Sequence, residues 1–346
     1  MSNIQTVCSL ISVIISFSLF YVNHKIELSQ SSYNSSSEVH LSNAPKYCVY
    51  VHNNANYILT SVEKVMNIMG LERTVFNFED EINADCSLFW LYDYPFTLDF
   101  NFEHLEYHQK INHIPGNLGL ISKSELGTTT NSKYIPKSFI NSEDLQKYAE
   151  LHPEKRFVQK NKSNRGVKLK KASEMNFTDT EYYSNYFGQE FIENPLLFDG
   201  HKFDFGVYVV ITSVNPLRFY HYNDNVMLRF CVEPYDHYNF DDIHTYVIDD
   251  HHITAGAFPA VKQYYNKSYS YKAAMNAYFT EQGHDMNKVW SQVDDCIRQV
   301  ILSRNDYFMD AVSFFFTFVK YNTFNYYFSC QNIKVNLAFL NCIVLI

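Results

Sequence analysis

The chain opens with residues 7–22 (VCSLISVIISFSLFYV), an apolar run without a single charge. A comfortable membrane span needs roughly 20 such residues, so this shorter run fits a signal anchor or the core of a signal peptide. Residues 1–6 carry no Lys or Arg, and no Ala-x-Ala follows the run. That favours an uncleaved anchor over residues 1–25, with a cleaved signal peptide or a buried helix as alternatives. Lys25 lies after the run, which by the positive-inside rule favours a cytoplasmic body; a secretory, lumenal body is the alternative. Residues 26–46 are Ser/Asn-rich and read as a flexible spacer.

From Lys46 onward the pattern is that of a folded domain. KYCVYV (46–51), RTVFNF (73–78) and CSLFWLY (86–92) have the composition of strands. Between the first two, residues 57–69 place Ile58, Val62, Val65, Met66 and Met69 at helical spacing, closed by Gly70. A β-α-β-β start predicts an α/β or α+β body. EYYSNYFGQEFI (181–192) and KFDFGVYVVITSVNPLRFYHY (202–222) are β-rich, with turn signals at Asn194-Pro195, Asp199-Gly200 and Asn215-Pro216. Residues 271–305 return to a helical period, with Val289, Val293, Ile297, Val300 and Ile301 on one face. Beyond Asp306, SFFFTF and NLAFLNCIVLI follow neither period. This tail, 306–346, reads as sequence that does not continue the domain, of the kind a truncated isoform or a splice-boundary read-through would give. A second hydrophobic membrane element is the alternative.

Composition narrows the function classes. With 46% hydrophobic and 19% charged residues, most of the 346-residue chain is expected to be globular. A net charge of −9 argues against a general nucleic-acid binder, although a basic groove for a polyanion is compatible with it. The seven cysteines are scattered, with no CxxC and no short Cys/His pairing, and indicate neither a zinc site nor a disulfide scaffold. Nucleophile-elbow, Walker, HExxH and GxGxxG patterns are all missing from the sequence.

Three segments carry candidate chemistry. In FVQKNKSNRGVKL (157–169), a strand-like stretch delivers Lys160 and a polar loop follows with Lys162, Arg165 and Gly166. Such a loop can wrap polyphosphate, with Gly166 allowing close backbone approach; a solvated basic turn is the plain alternative. In GQEFIENPLLFDGHKFDFGVYVVIT (188–212), the stretch Gln189, Glu190, Phe191 and Ile192 can set backbone groups against a planar base. Lys202 and Asp204, at i and i+2, share one strand face, which also suits a surface salt bridge. In INHIPGNLGLISKSEL (111–126), a Pro-Gly turn precedes Lys123 at the start of a helix. The acidic runs Asp241-Asp242 and Asp249-Asp250-His251-His252 lack ligand spacing and read as solvated loops.

Taken in order, these segments resemble the tubulin–tyrosine ligase-like family of ATP-grasp enzymes. The resemblance rests on Asn112…Pro115-Gly116…Lys123, Ile135-Pro136-Lys137-Ser138-Phe139, Phe157–Leu169, Gln189…Ile192-x-Asn194-Pro195-Leu196-Leu197, Lys202-Phe203-Asp204 and Leu228-Arg229-Phe230. It implies an ATP-grasp-like core of two lobes behind an N-terminal α/β subdomain. The expected divisions of the 47–305 body are 47–115, 116–200 and 201–305, the last of them incomplete. It further implies ATP and Mg as cofactors, tubulin or microtubules as the protein substrate, and a free amino acid, glutamate above all, as the group added through an acyl phosphate. Lys160 would contact a phosphate, Arg165 and Gly166 would cover it, residues 189–192 would line the adenine pocket, and Lys202 and Asp204 would face the reaction cleft.

Two departures from the family pattern stand out. Gly206 occupies a position where the family usually has Arg, which removes a bidentate anion contact. The family's magnesium ligands are an Asp and then Glu-x-Asn; no Glu-x-Asn follows residue 305 and no Glu follows Glu281, with Asp306 and Asp310 as stand-ins in a context that does not match. The alternative expectation is therefore a non-catalytic relative that binds nucleotide or tubulin. Asn-x-Ser/Thr sequons occur at Asn34, Asn161, Asn176 and Asn266.

Overall fold

The computed structural model describes residues 44–50, 60–74, 85–91, 94, 96, 106, 108–161, 166–175, 177, 185–236, 241–322 and 338–344; side chains at 50, 118, 121 and from 314 onward fall outside the description. The expected anchor (1–25), nearly all of the spacer, and Lys162 and Arg165 of the basic loop lie outside the described residues. Among the described residues, no helix is long and apolar enough to cross a membrane.

In chain order the elements are β1 (Lys46–Tyr50), α1 (Thr60–Ile68), β2 (Glu72–Arg73), β3 (Cys86–Leu91), β4 (Lys110–Ile111), α2 (Leu118–Ile121), α3 (Lys123–Thr129), β5 (Ser138–Phe139), α4 (Ser142–Leu151), β6 (Phe157–Asn161), β7 (Lys168–Lys170), β8 (Tyr186–Glu190), β9 (Leu197–Phe198), β10 (His201–Val214), β11 (Leu217–His221), β12 (Met227–Phe230), β13 (Ile253–Thr254), α5 (Pro259–Ser268), α6 (Tyr271–Glu281), α7 (Met286–Leu302), α8 (Asn305–Asn322) and β14 (Ala338–Val344). The mixed α/β class expected from the opening pattern is the one observed. The chain divides into two compact units: Met1–Asn117 with Tyr208–Tyr222 and Tyr307–Asn341, and Leu118–Val207 with Asn223–Asp306 and Cys342–Ile346.

The first unit is built on a parallel sheet of order β2-β1-β3-β4. α1 buries Val62, Val65 and Met66, the i, i+3, i+4 stripe of an amphipathic helix. At the end of β3 the buried Asn112 side chain acts as a backbone mimic. Its Oδ1 accepts from Leu91 N–H (2.8 Å) and its Nδ2 donates to the Leu91 carbonyl (2.9 Å). The neighbouring Gly116 adopts φ +85°, and a Cβ there would sit 3.0 Å from Ala311 Cβ and 3.1 Å from the Tyr307 ring. Asn112 and Gly116 thus serve packing and chain closure. Residues 305–322, which the sequence pattern left without a period, form α8, with Phe308 and Val312 buried.

The scattered cysteines indicate no disulfide scaffold by their spacing, yet Cys48 and Cys86 are joined across β1 and β3, Cα to Cα 5.9 Å. Proximity arises from the parallel pairing of two strands far apart in the chain, which spacing alone does not reveal. Closing a loop of 38 residues contributes about 4 kcal/mol or less through unfolded-state entropy. A reductant is therefore expected to lower the urea midpoint of the wild type and leave the Cys48→Ser/Cys86→Ser variant unmoved. An unmoved wild type would mean the bond does not form.

The second unit holds two sheets. One is an antiparallel sheet of order β5-β8-β6-β7. The other joins residues 201–207 of β10 to β12 and β9, with β13 on β12, all antiparallel. Its core is aromatic: Phe230 stacks on Phe258 at 4.0 Å, Phe198 on Tyr278 at 3.8 Å, and Phe203 and Phe279 close the cluster. The helical pattern expected over 271–305 resolves into α6 and α7, the latter burying Val293, Cys296, Ile297, Val300 and Ile301. Asp285 caps α7 by accepting from the N–H groups of Asn287 and Lys288, which explains why the helix restarts there.

Candidate nucleotide site

The site is assembled wholly within the second unit. Strand periodicity puts Lys202 and Asp204 on one face of β10, and the β10–β12 register sets Asp204 opposite Arg229. The guanidinium grips the carboxylate bidentately, Nε to Oδ1 at 2.9 Å and Nη2 to Oδ2 at 2.6 Å. Asp204 is 3% exposed and Lys202 9%. The Lys–Asp spacing therefore does not mark a surface salt bridge: both groups are buried, and the aspartate has a closer cationic partner. The Lys202 ammonium instead lies over the Phe191 ring, 4.7 Å from its centroid.

β6 presents Lys160, whose Nζ donates to Gln189 Oε1 at 2.5 Å on the adjacent β8. Part of the Lys160 side chain still meets solvent, but burial of the ammonium, reinforced by Lys123 and Lys202, pulls its pKa down to about 7. Lys123, the first residue of α3, is also lowered, by burial and then by Arg229, with Asp204 opposing. Burial lowers Lys202 as well, against the pull of the Cys231 thiol and Asp204. Three lysines from α3, β6 and β10 thus share one electrostatic field, and the aspartate among them, Asp204, is already paired with Arg229. Such an arrangement is costly in the free protein and suits a polyanion carrying several charges.

The other expected site residues fall around this cluster. Phe191 belongs to a buried apolar group with Val158, Tyr235 and Tyr246. The N–H groups of Glu190 and Phe191 are engaged by the carbonyls of Lys137 and Arg156. The Glu190 carboxylate accepts from Tyr148 O–H at 2.7 Å and thereby pushes that phenol up to about 12. Ile192 follows β8, half-buried. Gly166 is exposed with φ +77°, in the left-handed region that favours glycine. Arg165 lies outside the described residues. Cys231, beside Lys202, is raised to about 12 by burial and stays a thiol at neutral pH.

Lys123 and Arg229 were visible in the sequence only as parts of motifs, and only the tertiary pairing shows them to be members of the cluster. The acidic runs cap turns: Asp242 Oδ1 accepts from His244 N–H and Asp249 Oδ1 from His251 N–H. Among the described residues no group of three or more His, Cys, Asp or Glu is placed to hold a metal ion. The lysine cluster fits a polyphosphate.

Two antiparallel sheets that bring Lys160 and Lys202 beside the apolar group of Phe191, Val158, Tyr235 and Tyr246 are consistent with an ATP-grasp-like fold. The family model described as "TTL: Tubulin-tyrosine ligase family" matches residues 101–330. This chain belongs to the tubulin-tyrosine ligase family. It is 33% identical over 231 residues to the Caenorhabditis elegans protein named "Probable tubulin polyglutamylase ttll-15", covering 64% of this chain and 44% of that one. To the mouse "Tubulin polyglutamylase TTLL6" it is 28% identical over 238 residues, 64% of this chain and 28% of that protein. For the human "Tubulin polyglutamylase TTLL13" the figures are 26% over 268 residues, 70% and 30%. The chain spans less than half the length of these relatives.

Proposed function

We propose that this protein is an ATP-dependent ligase that adds glutamate to an acceptor protein of the tubulin class. The observation that carries the reading is the convergence of Lys123, Lys160 and Lys202 beside the buried Asp204–Arg229 pair. In the proposed reaction an acceptor carboxylate oxygen takes the γ-phosphoryl group as the bond to the β-phosphate oxygen breaks, giving ADP and an acyl phosphate. The amine of free glutamate then attacks the acyl carbon, loses a proton and expels phosphate. The lysines act electrostatically: they hold the triphosphate and offset charge developing on the transferred group. Phe191, with Val158, Tyr235 and Tyr246, would provide the apolar wall for adenine, and residues 189–192 would edge it. Lys202 and Asp204 would face the transferred group, with Asp204 keeping Arg229 in place.

The deciding measurement is incorporation of labelled glutamate into purified tubulin with ATP and Mg²⁺. ATP-dependent incorporation supports the ligase. Binding of a non-hydrolysable ATP analogue without incorporation supports the non-catalytic relative instead, and no binding at all overturns both.

Nucleotide binding is also expected to take up a proton. The free Lys160 amine titrates near 7, and a triphosphate beside it raises that value. Affinity should then be flat below pH 6 and fall by up to tenfold per unit above pH 7, until the pKa of the bound form is passed. Calorimetry at pH 8 in buffers of different ionisation enthalpy reads the uptake directly; a buffer-independent heat would contradict it.

A second reading, of location, is favoured by the Cys48–Cys86 disulfide, since such bonds persist in oxidising compartments. The sequon at Asn266 lies exposed on α5, where a glycan would meet no core. In this reading the body faces a lumen and the acceptor is a lumenal protein. Expression in secretory cells, followed by glycosidase treatment and thiol labelling of Cys48 and Cys86, separates the two. Free thiols and an unglycosylated chain leave the cytoplasmic body standing.

A further inference from the structure

The contact that holds Lys160 is unusual for a buried ammonium in that its partner is a neutral amide, not a carboxylate. Gln189 Oε1 accepts from Lys160 Nζ, while the Gln189 Nε2 donates to Ser138 Oγ (2.9 Å) and to the Pro136 carbonyl (3.2 Å). Both N–H groups of the amide are thus committed to Ser138 of β5 and to Pro136, two residues before that strand. A flipped amide would turn its N–H groups toward the ammonium and lose both acceptors, so the orientation is fixed by its surroundings. Gln189 and Ser138 are also direct cross-strand neighbours in the β5–β8 register, and both are buried.

Ser138 is in turn held in place by α3. The helix begins with Lys123, and one turn later Gly127 shares its face. A Cβ on Gly127 would stand 2.0 Å from Ser138 Oγ, 2.6 Å from Ser138 Cβ and 3.4 Å from Gln189 Nε2. The missing side chain lets α3 sit directly on the hydroxyl, so Lys123 and the Ser138–Gln189 pair are placed by the same helix–sheet contact.

We infer that Gly127, Ser138 and Gln189 form a positioning relay that holds the Lys160 ammonium in place without neutralising it, keeping its charge free for the nucleotide phosphates. The relay rests on the nucleotide-binding reading of this site and adds what that reading does not contain: why a neutral amide stands where a carboxylate would bind the lysine more tightly. A carboxylate at 189 would tie Lys160 in an ion pair, raise its pKa and remove one of the three uncompensated charges. Ser138 and Gly127 act only through Gln189 and are positioning residues.

The test uses the full chain with Gln189→Glu, Ser138→Ala and Gly127→Ala. In Gln189→Glu the pH above which ATP-analogue affinity falls is expected to move up by at least one unit, with affinity at pH 7 down about tenfold. Ser138→Ala is expected to weaken binding less, about threefold, and to raise the KM for ATP while leaving kcat within twofold. Gly127→Ala, which forces Ser138 to shift, is expected to raise the same KM about tenfold; should it fail to fold, the other two variants decide. A purely structural role would lower thermal stability in all three and leave the pH profile where it was. That result, in protein that binds the analogue, overturns the relay and leaves the nucleotide reading intact. Titration of dimethylated lysines by NMR in the free protein, with Lys160→Met to assign the signal, gives a readout that does not need nucleotide. An unshifted Lys160 signal in Gln189→Glu overturns the relay, whereas a shifted one in a protein that binds no nucleotide supports the tether and overturns the nucleotide reading.

Discussion

Lys160→Met is expected to make the protein more stable and to cut ATP-dependent incorporation at least about a hundredfold. The two effects have one cause. In the folded protein the ammonium is desolvated and repelled by Lys123 and Lys202, so its pKa falls from 10.5 to about 7. The folded value is depressed, so the stability tied to this group is fully present above pH 10.5 and is lost as pH falls toward 7. One pKa unit corresponds to about 1.4 kcal/mol; discounted by half for the remaining solvent contact, the wild type gives up about 2 kcal/mol by neutral pH. Methionine keeps the length of the side chain and drops the charge. The urea midpoint of Lys160→Met should therefore exceed that of the wild type at pH 7, with the gap closing toward pH 10.5. The same substitution removes a charge-assisted phosphate contact, so analogue affinity should fall together with the rate. A variant that loses stability and activity together would show that Lys160 is a packing residue.

Arg229→Ala has the opposite sign on stability. Asp204 is buried and receives two guanidinium hydrogen bonds, and removing Arg229 leaves a carboxylate with only the lysine field around it. Breaking one side of such a pair typically costs about 3–5 kcal/mol, and the nearby Lys123 and Lys202 place the expected loss at the lower end, about 3 kcal/mol. Asp204→Asn/Arg229→Met, which removes both charges, should recover most of that stability and none of the ligase activity. Equilibrium unfolding of the single and double variants measures this coupling. Additive losses would show that the two residues do not act as a pair.

The hydrophobic pattern made the local elements legible. The stripe Val62, Val65, Met66 marked α1, the apolar face of α7 was visible from Val293 to Ile301, and the β-rich runs marked β1, β3, β8 and β10. It failed at 305–322, a run in which the sequence shows no helical period although α8 forms there, and at Gln282–Asp285, where one helical pattern is in fact two helices. Of the candidate site, Lys160, Lys202 and Asp204 stood out because charged residues interrupt apolar strands. The Asn112 motif also stood out, and its side chain hydrogen-bonds both backbone groups of Leu91 at the end of β3.

Which residues are charged within apolar strands can be read from the chain alone, because a strand repeats every second residue and needs no partner to define its faces. What those charges meet was decided only by tertiary structure. Asp204 found Arg229 through the β10–β12 register, Cys48 found Cys86 through parallel pairing, and Lys123 joined Lys160 and Lys202 because α3 seats a glycine on Ser138. Electrostatic and covalent contacts act over a few ångströms of space, and separation along the chain carries no record of that distance until the sheets are formed.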